Sequence, residues 1–409
     1  MSLAALFSKG VSIIVGFLVA RNFGSDKFGA YSFILSTVAS LAAVSSLGLA
    51  PAITVTTASS SNTDLNLKYE FIFFARCIPF IFSILLLLIS LNQFHYSLSK
   101  FNLSFSATLL AIIAFATIFQ TSSTIEVAIL SGLKRFRRVA IINIISGVIL
   151  IIAILYALRV KNFSIVVLSI LLPSAFNAFL LLSTKSSFSL SHFNLLRRKY
   201  HFSFIFRFLR TDFPYFLATL CYAPAIWLST VVIINSKYGH QALSYFYFSD
   251  IIRSFLVFLA ASAVQVYFPH FIEAWSAKNY TAYRSLLFQS FGTIIVLWIL
   301  PSIPILLLSA PLLMSYHLTY DVGKLVLLIT LATTFLTSLN TLLGQILLSQ
   351  KLPWIAFVSN LIWAFFLFVF LLSLKSFMPI VYVLPVSFFF AYLFLSCFQS
   401  YYAFRFLLK

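Results

Sequence analysis

Six ionisable side chains lie in or at the ends of long apolar runs: Lys9, Arg21, Arg76 and Arg253, with the acids Glu126 and Asp250. A charge at the centre of a membrane helix costs about 3 kcal/mol or more, so it turns toward a cavity or a partner. Four cations against two acids suit an anionic guest held by charge-assisted hydrogen bonds, and the four cations are candidate substrate-binding residues. Glu126 and Asp250 are candidate coupling or cavity acids. The plainer alternative pairs Asp250 with Arg253, three residues away on one helix face, and Arg76 with Glu126, while Lys9 snorkels to the surface. Tyr31, Tyr222, Trp227, Tyr245 and Tyr247 combine a flat apolar face with a polar edge, which suits stacking on sugar rings; an interfacial belt is their other role.

Covalent chemistry finds no footing. There is no nucleophile–base constellation, Gly-rich phosphate loop or metal-ligand spacing. Cys77, Cys221 and Cys397 stand far apart inside apolar runs, and the six histidines are dispersed. No metal or organic cofactor is expected.

The elements that must position these residues are set by composition. Of 409 residues 62% are hydrophobic and 9% charged, where a soluble domain carries about a quarter charged. At about 20 apolar residues per span the chain holds about twelve transmembrane helices and no soluble domain. The runs are Leu3–Ala20, Ala30–Ala58, Phe71–Leu91, Leu103–Leu130, Val139–Leu158, Ser164–Ser183, Phe213–Ile234, Ala242–Phe268, Ser285–Ser309, Leu325–Leu348, Trp354–Leu374 and Ile380–Phe404. With no basic n-region or cleavage site, the first run reads as a retained helix.

Loop charge sets orientation. With the N-terminus cytoplasmic, sixteen basic residues fall on that side, among them Lys134, Arg135, Arg137 and Arg138, against eight outside. Both termini are therefore expected in the cytoplasm. The net charge of +19 follows from these loops and an anionic guest, not from a nucleic-acid face, which would need a solvated basic domain.

The longest polar connection, basic and aromatic around Arg197-Arg198-Lys199-Tyr200, separates two lobes. Residues 1–184 form the first, 185–211 a cytoplasmic linker suited to solvent or lipid headgroups, and 212–409 the second. The lobes look related: Gly24 and Gly239, Pro51 and Pro269, and Asn143 and Asn360 are 215, 218 and 217 residues apart. Six helices between equivalents is an even number, so the lobes are expected to run parallel and to rock about a shared cavity.

Three stretches carry a resemblance. Ala20-Arg21-Asn22-Phe23-Gly24-Ser25-Asp26-Lys27-Phe28-Gly29-Ala30-Tyr31-Ser32 resembles the first loop of polysaccharide exporters. Leu47-Gly48-Leu49-Ala50-Pro51 resembles their second-helix ending, and Leu130 to Arg138 their basic-aromatic loop after the fourth helix. In helix number, length and central linker the chain is similar to Wzx-type O-antigen flippases of the multidrug/oligosaccharidyl-lipid/polysaccharide (MOP) superfamily.

The resemblance implies an all-α, MATE-like fold of two six-helix lobes in the bacterial inner membrane. It implies transport of an undecaprenyl-pyrophosphate-linked oligosaccharide from the cytoplasmic to the periplasmic leaflet, by alternating access driven by an H+ or Na+ gradient, beside other O-antigen assembly proteins. Arg21 is carried over from the family's first loop. An O-antigen polymerase would need a sizeable outer loop, where these are short. A drug or cation antiporter of the same fold would want an acidic cavity.

Overall fold

The computed structural model describes residues 2–50, 53–54, 76–77, 79–85, 88, 107–183, 202–350 and 352–405. Part of the expected third span, most of the linker, Pro51 and the arginines at 197 and 198 lie outside them. Among the described residues the chain is helical, without strands: α1 (Ser2–Ser45), α2 (Ala107–Gly132), α3 (Phe136–Val160), α4 (Phe163–Leu168), α5 (Leu171–Ser183), α6 (Phe202–Ile234), α7 (Gly239–Ser276), α8 (Tyr280–Leu307), α9 (Ser309–Ser315), α10 (Tyr320–Ser349), α11 (Pro353–Leu374) and α12 (Ile380–Arg405). Eight candidate spans among these residues are long and apolar enough to cross a bilayer. Helix is what such sequence must form, because in lipid every backbone N–H needs a partner within its own segment. The chain is a multi-pass membrane protein.

Helix ends depart from the sequence reading where backbone chemistry intervenes. The first two expected runs join into α1, bent at Gly24, whose φ of 85° and ψ of 168° lie in a region that is essentially glycine-only. The two arms, residues 6–23 and 25–45, are about 27 Å and about 31 Å long at 1.5 Å per residue, so each can span a bilayer. Helix α1 breaks at Ser45, inside the expected run to Ala58, because Leu47 and Gly48 both take positive φ, and helix resumes at Leu49.

The expected run Ser164–Ser183 is two helices. Pro173 has no N–H for the carbonyl of Ser169, and the chain makes a turn at Ser169 and Ile170 between α4 and α5. Helix α6 opens at Phe202, inside the stretch read as linker. Asn143 and Asn360 each lie seven residues from the start of their helices, α3 and α11.

Helices α1, α2, α3 and α5 pack together, as do α6, α7, α10, α11 and α12; α1 joins the groups by lying against α6 and α7. Lipid gives helices no hydrophobic reason to associate, so close packing and polar contacts must do it. At the Gly24 end the approach is closest. A Cβ on Gly29 would stand 2.5 Å from Ser244 Oγ, and that hydroxyl donates to the Ser25 carbonyl at 2.8 Å. Tyr316, just after α9, wedges into the same end, its ring 5.1 Å from Phe28 of α1 and 4.8 Å from Phe248 of α7. Buried Val19, Ile34, Val231 and Leu243 fill the seam. The Gly24 end is closed.

Gly24→Ala should cost about 1–3 kcal/mol, the usual strain of a side chain in that backbone region. Thermal unfolding in detergent should show it as a lowered midpoint, while Ser25→Ala, which leaves the bonded carbonyl in place, should stay within about 0.5 kcal/mol of wild type.

Candidate functional site

Beyond the closed end a cavity of about 600 Å³ opens between the two groups of helices, lined from α1, α2, α3, α5, α6, α7 and α12. Lys9, Tyr31, Tyr222, Tyr247, Asp250 and Arg253 all border it. Their meeting follows from helix register. Lys9 is fifteen residues from Gly24 and Arg253 fourteen from Gly239. Each is therefore about 21 Å or 22 Å along its helix from the joined ends. The two cations come to one level on adjoining helices, where Lys9 reaches the residue next to Arg253.

Their surroundings differ. Arg253 donates through Nε to Asp250 Oδ1 at 2.7 Å, with Nη2 at 2.6 Å from the same oxygen. The hydroxyls of Tyr222 and Tyr392 lie 3.0 Å apart, within electrostatic reach of the guanidinium. Tyr222 packs its ring 4.8 Å from that of the fully buried Trp363. Lys9 donates to the Ser254 hydroxyl at 2.7 Å, bridging the two groups of helices. It also feels both Asp250 and Arg253 electrostatically. Counted together, Lys9, Arg253 and Asp250 leave one positive charge facing the hollow. A guest anion would find a planar fork and a point charge, the arrangement that grips phosphate oxygens.

The remaining candidates fall elsewhere. Arg76 and Glu126 pair by Nε and Oε1, with Glu126 buried, at a small separate pocket of about 60 Å³ beside Pro79 and Thr121. Arg21 is exposed at the Gly24 end, over the ring of Phe17 at 5.9 Å, with its carbonyl 3.2 Å from His317 Nε2. It does not line the cavity. Of the aromatics, Tyr31 and Tyr247 are wall residues with almost no exposed face. Trp227 donates to Thr37 at 3.0 Å, and Tyr245 bonds Thr319 at 2.6 Å, both off the cavity lining. Tyr222 is the candidate best placed to meet a ring.

Sequence reading passed over Gln120, Asn177 and Ser254, which also line the cavity. Asn177 Oδ1 is buried without a hydrogen-bond partner. An amide inside an apolar run was the available signal for the first two. Among the described residues no group of three metal-ligating side chains occurs.

A family model described as polysaccharide biosynthesis protein matches residues 1–275. No curated protein matches the sequence significantly. Among solved structures, the lipid II flippase MurJ in an inward closed conformation superposes with a TM-score of 0.74 at 17% identity, covering 98% of this chain and 86% of that one. An inward-facing multidrug resistance MATE transporter of the MOP superfamily gives 0.70 at 12% identity, covering 98% and 95%. A MOP superfamily transporter from Pyrococcus furiosus, described by the reverse polarity of its binding pocket, gives 0.62 at 12%, covering 98% and 94%. The fold is the expected all-α MOP type.

The Arg76–Glu126 pair reads as structural. Glu126→Ala should destabilise by about 3 kcal/mol, because it leaves a guanidinium without its carboxylate, whereas Arg76→Met with Glu126→Leu should recover most of that loss. Unfolding midpoints of the three proteins in detergent test this.

Proposed function

The chain belongs to the polysaccharide biosynthesis protein family, and on that premise we propose that it flips an undecaprenyl-pyrophosphate-linked O-antigen oligosaccharide from the cytoplasmic to the periplasmic leaflet of the bacterial inner membrane. The observation that carries the reading is the pair of cations, Lys9 and Arg253, at one level in a cavity bordered by both groups of helices. The pyrophosphate binds there, its loss of hydration offset by charge pairing. Sugars fill the rest of the hollow beside Tyr222, and the polyprenyl tail stays in lipid. With the termini cytoplasmic, the orientation that loop charge favours, the closed Gly24 end lies at the periplasm and the cavity faces the cytoplasm, where the cargo is made. Opening the seam between Gly29 and Ser244 while the other end closes completes the exchange.

The drive is an ion gradient. Asp250, in the cavity, is the better of the two acids to link H+ or Na+ to the change of state, since an ion shifts that balance only through differential affinity for the two states. Glu126, sealed against Arg76, is worse placed. A drug or cation antiporter of this fold fits less well, because the cavity trio is net positive.

Arg253→Ala and Lys9→Ala should each lower surface glycan display about tenfold or more, as loss of a charge-assisted contact of about 1.5–3 kcal/mol requires. Membrane levels of the protein should be unchanged by immunoblot. Wild-type display from the single and double variants would overturn the cavity reading. Deleting the gene should accumulate lipid-linked single units inside the cell; surface units capped at length one would instead indicate a polymerase.

A further inference from the structure

We propose that Asp250 is an exchangeable counter-ion, occupying the Arg253 guanidinium while the cavity is empty and being displaced from it by the phosphate oxygens of the guest. The inference rests on the reading of the cavity as an anion site, and assigns the acid in it a second role, as competitor.

Both Arg253 contacts go to one carboxylate oxygen, Oδ1, through Nε and Nη2. That edge of the fork is one that grips a phosphate bidentately, so acid and guest claim the same donors. The partners are not equally fixed. The Arg253 side chain is 13% exposed and that of Asp250 30%. Within electrostatic reach of the guanidinium, Tyr222 and Tyr392 are bonded to each other across α6 and α12. Arg253 belongs to the wall, and Asp250 is the wetter partner that can leave it.

The pair joins two residues of α7 itself, so it ties that helix to no neighbouring element. An uncovered guanidinium at this depth would be costly, and Asp250 covers it between cargoes. Competition also weakens the grip on the guest, which a transporter needs because its cargo must leave again. Lys9, held by the neutral hydroxyl of Ser254, stays available as the second anchor.

The test uses the full chain in lipid nanodiscs with farnesyl pyrophosphate as probe and farnesol as its uncharged control. Asp250→Asn should bind farnesyl pyrophosphate about 5- to 150-fold more tightly than wild type, the usual range of coupling between two occupants of a protein. Farnesol binding should not move, which also shows that the variant is folded. Asp250→Ser should behave like Asp250→Asn, and adding Arg253→Gln should abolish the gain. If both Asp250 variants bind the pyrophosphate as wild type does or more weakly, while wild type still prefers it to farnesol, the counter-ion role is wrong and the anion site stands. If wild type shows no such preference, the anion site fails and the inference falls with it.

Discussion

Helices α1 and α7 can touch at the Gly24 end because a hydrogen atom, not a side chain, faces Ser244 from position 29. That approach lets the Ser244 hydroxyl reach the Ser25 carbonyl and lets Tyr316 seat against both helices. Two long helices joined at one end and bordering a hollow beyond it must bring residues of equal distance from the joint to the same level. Lys9 and Arg253 meet for that reason. Spreading the joint would alter the cavity, its depth and the pairing of its charges together.

Elsewhere the chain uses the means available inside lipid. Asn340 on α10 donates to the Tyr392 carbonyl at 3.2 Å and the Ser396 hydroxyl at 2.9 Å on α12. Asn360 on α11 reaches the Ala218 carbonyl of α6 at 3.2 Å, and Gln350 reaches the Ala403 carbonyl at 3.3 Å. Such contacts are worth roughly 0.6 to 2 kcal/mol in a membrane, and they orient helices that van der Waals packing alone would let slide. They tie α10 to α12 and α11 to α6.

The embedded charges sort by what surrounds them. Glu126 is sealed against Arg76, so the pair answers its own desolvation and is spent on structure. Asp250 and Arg253 also touch, yet their contact opens on a hollow large enough for a guest, with a second cation, Lys9, on the adjoining helix. Arg21 is exposed at the end of its arm, over the ring of Phe17. One rule about charge in a poor solvent yields three outcomes, decided by local packing.

Sequence alone was enough for the solvent and the elements. A chain with 62% hydrophobic and 9% charged residues can only cross a bilayer repeatedly, and helix is the only open structure that satisfies its backbone there. It also determined that Asp250 and Arg253 share a helix face, because three residues nearly complete a turn. The bend at Gly24 in place of a loop and the break before Pro173 were less legible, since both depend on single residues acting within otherwise uniform apolar runs. Sequence singled out six candidate charges, Lys9, Asp250 and Arg253 among them, but not which of the six share a cavity. Lys9 and Ser254 are 245 residues apart, and only the packing of α1 on α7 sets their distance to 2.7 Å. Sequence spacing governs neighbours along one helix; the meeting of two helices depends on the small residues at their contact and on everything packed behind them.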